Sequence, residues 1–277
     1  MMDYLLNLPL HQYINIGLLL GSTVLCCLLI IIGAALQLLH RARTTAPLPH
    51  IYRFNGSGFP NIIDESYTFI FTIFFAFISL GNVFSEPEEL SATDAWLSAF
   101  TTLLIYAPMA LRYISLPPQQ QGTPFMRDLG LALLTLVAIY FSLGILDAGH
   151  VIEHIIQLTD APSLQSVSQE MTAAKDPTTL AALCFSAIIV APIMEEVVFR
   201  GFLYNTLRQR AGIPSAILAS SLFFSAIHTS LAQSLPLFIF ACAQCLLYEK
   251  SNSLRAPIIT HMLFNTVTTI FLLFQFS

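Results

Sequence analysis

Eight apolar runs of membrane-spanning length limit what this chain can fold into: Ile14–Leu39, Tyr67–Phe84, Ala95–Ser115, Leu129–Gly149, Thr178–Leu207, Pro214–Leu231, Ser234–Tyr248 and Ala256–Phe276. A bilayer core about 30 Å thick asks for about twenty apolar residues per helical crossing. In lipid the backbone must also satisfy its own hydrogen bonds, which a helix does within one segment. The runs therefore predict an all-α polytopic membrane protein, with about eight transmembrane helices around a polar intramembrane cavity. Composition agrees, since 10% of the 277 residues are charged and 56% hydrophobic, whereas soluble domains carry about 25% charge. The first run is too long for a signal-peptide core and has no basic region before it, so it reads as a retained anchor. Residues 1–177 carry helices one to four with their loops, and residues 178–277 carry helices five to eight, within one membrane domain.

Counted by the connection each falls on or follows, the basic residues set an orientation. Arg41, Arg43, Arg53, Arg112, Arg127, Arg200, Arg208, Arg210, Lys250 and Arg255 fall on one side if the spans alternate, and Lys175 alone falls opposite. Basic residues concentrate on the cytoplasmic side, so both termini and the acidic connections Glu86–Asp94 and Asp147–Asp176 are expected outside the cytoplasm. There is no basic stripe, which excludes nucleic acid as a partner and leaves the bilayer and membrane-associated peptides. Cys26, Cys27, Cys184, Cys242 and Cys245 all sit in apolar runs. An odd count there argues against a disulfide framework. The C-x-x-C of Cys242 and Cys245 lacks a second pair and reads as small apolar filler.

The chemistry lies in the charges and amides inside the runs. Ala191–Arg210 holds Glu195, Glu196 and Arg200, where each charge costs roughly 2.5–3.5 kcal/mol or more unless it is paired and turned inward. Glu196 and Arg200 are four apart and share a helical face, so they form a structural pair. Glu195 is rotated about 100° away and is free for chemistry. Two later runs contain Phe224-x-x-x-His228 and His261-x-x-x-Asn265. A lone histidine or asparagine in a membrane helix is ordinarily packing glue. The whole set exceeds what satisfying a core requires, and its convergence on one inward-facing cavity is the economical arrangement.

Glu195-Glu196-x-x-x-Arg200, Phe224-x-x-x-His228 and His261-x-x-x-Asn265, in this order and inside predicted spans, resemble the three motifs of the CAAX-protease and bacteriocin-processing family of intramembrane glutamate peptidases. The resemblance covers about Thr178 to the C-terminus. It implies a catalytic glutamate at Glu195, a histidine at His228 that helps activate water, and an oxyanion pair at His261 and Asn265. It also implies structural roles for Glu196 and Arg200, with Phe224 in support. The expected activity is hydrolysis of a peptide bond in a membrane-associated substrate, either a prenylated C-terminal tail or an unlipidated leader peptide, with the cavity open to the cytoplasmic half of a bacterial inner membrane. No cofactor is called for. A zinc site of Glu195, His228 and His261 stays open, since all three residue types ligate zinc. A non-enzymatic peptide-binding or immunity protein is the rival reading.

Two features complicate the reading. His150-Val151-Ile152-Glu153-His154 spells an inverted zinc-protease pattern, but i, i+3, i+4 spacing is also the polar face of an interfacial helix. Straight spans at the stated boundaries also place His228 near the outer end of the sixth helix and His261 near the cytoplasmic end of the eighth. At about 1.5 Å per residue that separates them by well over 10 Å in depth. Either the helices tilt strongly or the boundaries of the sixth and eighth spans shift, with Pro236 and Pro257 as natural places for it; the family resemblance implies the boundaries.

Overall fold

The computed structural model describes residues 8–43, 62–83, 91–114 and 124–275, and every regular element among them is helical. The four N-terminal long helices are α1 (Leu10–Arg43), α2 (Ile62–Val83), α3 (Ala92–Ile114) and α4 (Phe125–Ala148). Two short helices follow, α5 (Val151–Thr159) and α6 (Ser166–Ala173). The motif-bearing half is α7 (Pro177–Ala211), α8 (Ile213–Ile227), α9 (Leu231–Ser251) and α10 (Arg255–Gln275). The predicted connection Ser85–Asp94 up to residue 90, the loop bearing Pro117, Pro118 and Gly122, and Arg53 lie outside the described residues.

All eight predicted spans are helices. Among the described residues, α1, α4, α7, α9 and α10 are long and apolar enough to cross a membrane, while α2 contributes a shorter apolar stretch, Ile70–Gly81. The sixth span needs correction. α8 stops at Ile227 after 15 residues, because His228 turns the chain and Thr229 takes a left-handed φ of 49°. The residues predicted as its last turn instead form the link to α9, and Leu231 opens that next helix. Pro236 lies buried within α9, and Pro257 sits in the first turn of α10, where a missing N–H breaks no helical bond.

α7 is the axis of the molecule. Asp176 caps its first turn, its carboxylate accepting from the Thr179 backbone N–H at 2.9 Å and from the Thr179 hydroxyl at 3.1 Å. The backbone N–H groups of Thr179 and Thr178 hold this carboxyl below the usual range. From Glu196 to Leu207 every side chain is buried, as expected of a helix apolar around its whole circumference. Two stretches, Ser186–Val190 and Val197–Tyr204, are wound in the wider π register on either side of the α-helical turn Ala191–Glu196.

Polar contacts tie the helices together at two ends. At one end Arg208 pairs with Glu249 at 3.0 Å, which also accepts from the Tyr204 hydroxyl at 2.8 Å. There too Arg210 bonds Gln37, the buried Asp128 pairs with Arg255 at 2.7 Å, and Arg127 donates to the Lys250 carbonyl. At the other end Asn15 donates to the Thr229 carbonyl, Gln233 to the Ser163 carbonyl, and Met171, Leu183 and Leu272 cluster together. α1 crosses α7 closely at Gly33, where an added Cβ would collide with the backbone of Arg210.

Candidate active site

The buried charges form a chain of contacts across three helices. Glu196 is wholly buried, and its Oε1 accepts from Arg200 at 3.1 Å, from the Gln244 amide at 3.1 Å and from His261 Nδ1 at 2.8 Å. The expected i, i+4 pair is thus formed, and its environment is dry. Arg200 extends the neutralisation, reaching the Ala241 carbonyl at 3.3 Å and lying 4.9 Å over the Phe224 ring. A guanidinium over an aromatic face is attracted by the ring quadrupole, more strongly when water is excluded.

Glu196 leads directly to Glu195 through His261. A carboxylate beside an arginine only accepts hydrogen bonds, so His261 Nδ1 carries the proton in that contact. The other ring nitrogen, Nε2, stands 3.9 Å from Glu195 Oε2. That is ion-pair range and longer than a hydrogen bond. Glu195 keeps 24% of its side chain exposed, while its Oε2 is buried and has no hydrogen-bond partner among the described residues. The His261 ring is held edge-on to Phe240 at 4.7 Å and to Phe224 at 6.2 Å. With Nδ1 occupied, the neutral imidazole presents a lone pair at Nε2, and only the imidazolium presents an N–H there.

His228 reaches this group through an aromatic ring. It is the C-terminal cap of α8, its Nδ1 donating back to the Phe224 carbonyl at 2.7 Å, and its ring lies 4.8 Å from that of Phe224. His228 and His261 both contact the ring of one phenylalanine, Phe224. No hydrogen bond joins His228 to either glutamate among the described residues.

Asn265 sits one turn beyond His261, and its amide donates to the Ala187 carbonyl at 2.7 Å. The reason lies in the winding of α7. In the π register the Ala191 N–H bonds the Ser186 carbonyl, so the carbonyl of Ala187 would need the N–H of residue 192. That residue is Pro192, which has none. Asn265 supplies the missing donor from α10, and its second amide N–H stays available.

Two positions that sequence reasoning passed over belong here, Gln244 and Phe240. Gln244 is an amide in the middle of an apolar helix, the same kind of signal that Asn265 gives. The metal alternatives are not built: among the described residues no group of three or more His, Cys, Asp or Glu is arranged to hold an ion. His150 is the left-handed residue preceding α5, so His150, Glu153 and His154 do not share one helical face as ligands. His150 Nδ1 instead bonds Glu153 at 2.7 Å, and His154 Nδ1 donates to the His150 carbonyl at 2.8 Å.

Comparison with known proteins singles out the same helices. The family model described as type II CAAX prenyl endopeptidase Rce1-like matches residues 177–267, from the start of α7 to just past Asn265. The "Putative membrane peptidase YdiL" of Bacillus subtilis (strain 168) is 24% identical over 204 residues, 72% of this chain and 80% of that protein. No solved structure matches the chain. Several helices of spanning length and a matched segment that contains the whole glutamate–histidine cluster make this chain similar to membrane proteases of the CAAX endopeptidase type.

Proposed function

We propose that the protein hydrolyses a peptide bond of a membrane-associated substrate with Glu195 as general base. Water between Glu195 and His228 gives its proton to the Glu195 carboxylate, and its oxygen attacks the scissile carbonyl. The negative charge that develops on the carbonyl oxygen is met by the Nε2–H of protonated His261 and by the free amide N–H of Asn265. The C–N bond then breaks, and the proton held by Glu195 passes to the departing amine. General base action is worth about 10²–10⁴ in rate, and a single oxyanion donor about 10²–10³.

The observation that carries this reading is the division of labour across His261. Nδ1 is fixed on the Glu196–Arg200 pair, while Nε2 faces a glutamate whose nearest oxygen has no hydrogen-bond partner among the described residues. Glu196 orients the ring. We place the site in the cytoplasmic half of a bacterial inner membrane, with both termini outside the cytoplasm. A prenylated C-terminal tail and an unlipidated leader peptide both fit the chemistry.

The test compares protein termini, by mass spectrometry, in membranes carrying wild-type protein or Glu195→Gln. The expected result is a set of termini that disappears in the variant, with purified turnover reduced by about 10² or more and an unchanged melting temperature. Near wild-type turnover overturns Glu195 as the base. The identity of the lost termini shows whether substrates are prenylated. Loss of activity with a chelator and recovery with zinc would replace this mechanism with a metal-dependent one.

A further inference from the structure

Gln244 lies midway along α9, wholly buried. Its amide nitrogen donates twice, to Glu196 Oε1 at 3.1 Å and to the Pro257 backbone carbonyl at 2.9 Å. Both partners can only accept, so turning the amide over would set its oxygen against a carboxylate and a carbonyl. Pro257 lies one turn before His261 in α10, and its carbonyl is also the helical acceptor for the His261 backbone N–H. One amide thus ties the acceptor of the His261 ring to the turn of helix that carries that ring. Arg200 shares α7 with Glu196 and neutralises it without fixing α7 against α10. Gln244, reaching in from a third helix, fixes that spacing.

The other end of the side chain argues against a stability role. Gln244 Oε1 is buried without a hydrogen-bond partner among the described residues, a deficit that costs stability. A leucine or methionine would fill the same space without it. We propose that Gln244 is a positioning residue, which holds Glu196 Oε1 so that His261 keeps Nδ1 on Glu196 and Nε2 toward Glu195. This rests on the reading of His261 as the oxyanion donor.

The experiment measures site-resolved C2–hydrogen exchange of the histidines by mass spectrometry on the purified full-length protein, without substrate. Variants Gln244→Met, of similar volume without a donor, and Gln244→Asn, one methylene shorter, are compared with wild type. The expected result is a change of about three- to tenfold in the His261 exchange rate, the range a lost hydrogen bond of this kind spans, with His228 unmoved. On any substrate found through Glu195-dependent termini, kcat falls by about tenfold at unchanged KM. An unchanged His261 rate in a folded variant overturns the proposal. So does a parallel change at His228, or failure of both variants to fold, since either assigns Gln244 to stability alone. Because the exchange readout needs no substrate, absence of Glu195-dependent cleavage would fall on the proposed function and leave the assignment of Gln244 to be decided separately.

Discussion

Glu196 and Glu195 are chemically identical neighbours with opposite fates, and the difference is set by what each faces. Glu196 points into Arg200, Gln244 and His261 with no exposed surface, while Glu195 keeps an exposed edge. Replacing Glu196 by Gln therefore leaves the buried Arg200 charge uncompensated, at a cost of about 3–5 kcal/mol. Denaturation in detergent should show a marked loss of melting temperature for Glu196→Gln and none for Glu195→Gln; equal melting of the two would remove the structural assignment of Glu196. The Glu196–Arg200 pair was legible because i, i+4 spacing is a local rule. The bond from His261 to Glu196 was not, because it joins residues 65 apart in the chain and motif order says nothing about which nitrogen faces which carboxylate. Treating Glu196 as purely structural also missed that it holds the imidazole.

Among the helices, α7 and α10 act as a matched pair. The π winding around Ala187 and the proline five residues on leave a carbonyl that α10 must satisfy, so the irregularity of one helix is completed by a side chain of the other. Asn265→Ala should cost about 1–3 kcal/mol, the usual penalty for an orphaned buried acceptor. Adding Pro192→Ala restores an N–H where Ala187 needs one and should recover part of that stability. If Asn265 also serves the oxyanion, the double variant melts near wild type and still cleaves poorly. Recovery of both stability and turnover would make Asn265 a structural cap alone; recovery of neither would break the link between Pro192 and Asn265. Helix existence was readable from the apolar runs, but the end of α8 was not. Phe224–Leu231 contains no Gly or Pro to mark the turn, and hydropathy does not register the left-handed Thr229 that stops the helix.

For the whole molecule, the arginines of the described helix ends gather at one polar end. Arg127, Arg208, Arg210 and Arg255 are anchored at one end by the Lys250 carbonyl, Glu249, Gln37 and Asp128. A cytoplasmic location for that end predicts that an alkaline phosphatase fusion after Ser277 is active in a bacterial host and that a green fluorescent protein fusion there is dark. The reverse pattern would invert the assignment or remove one crossing. The placement of Glu196 and Arg200 also bears on how the protein is made. A polytopic chain enters the bilayer helix by helix, so α7 arrives before α9 and α10 have brought Gln244 and His261. At that moment each lone charge would cost roughly 2.5–3.5 kcal/mol on insertion scales. Because the arginine lies one turn from its carboxylate on the same helix, α7 can enter already neutralised along that face. Only Glu195 is then left waiting for partners that have yet to be synthesised.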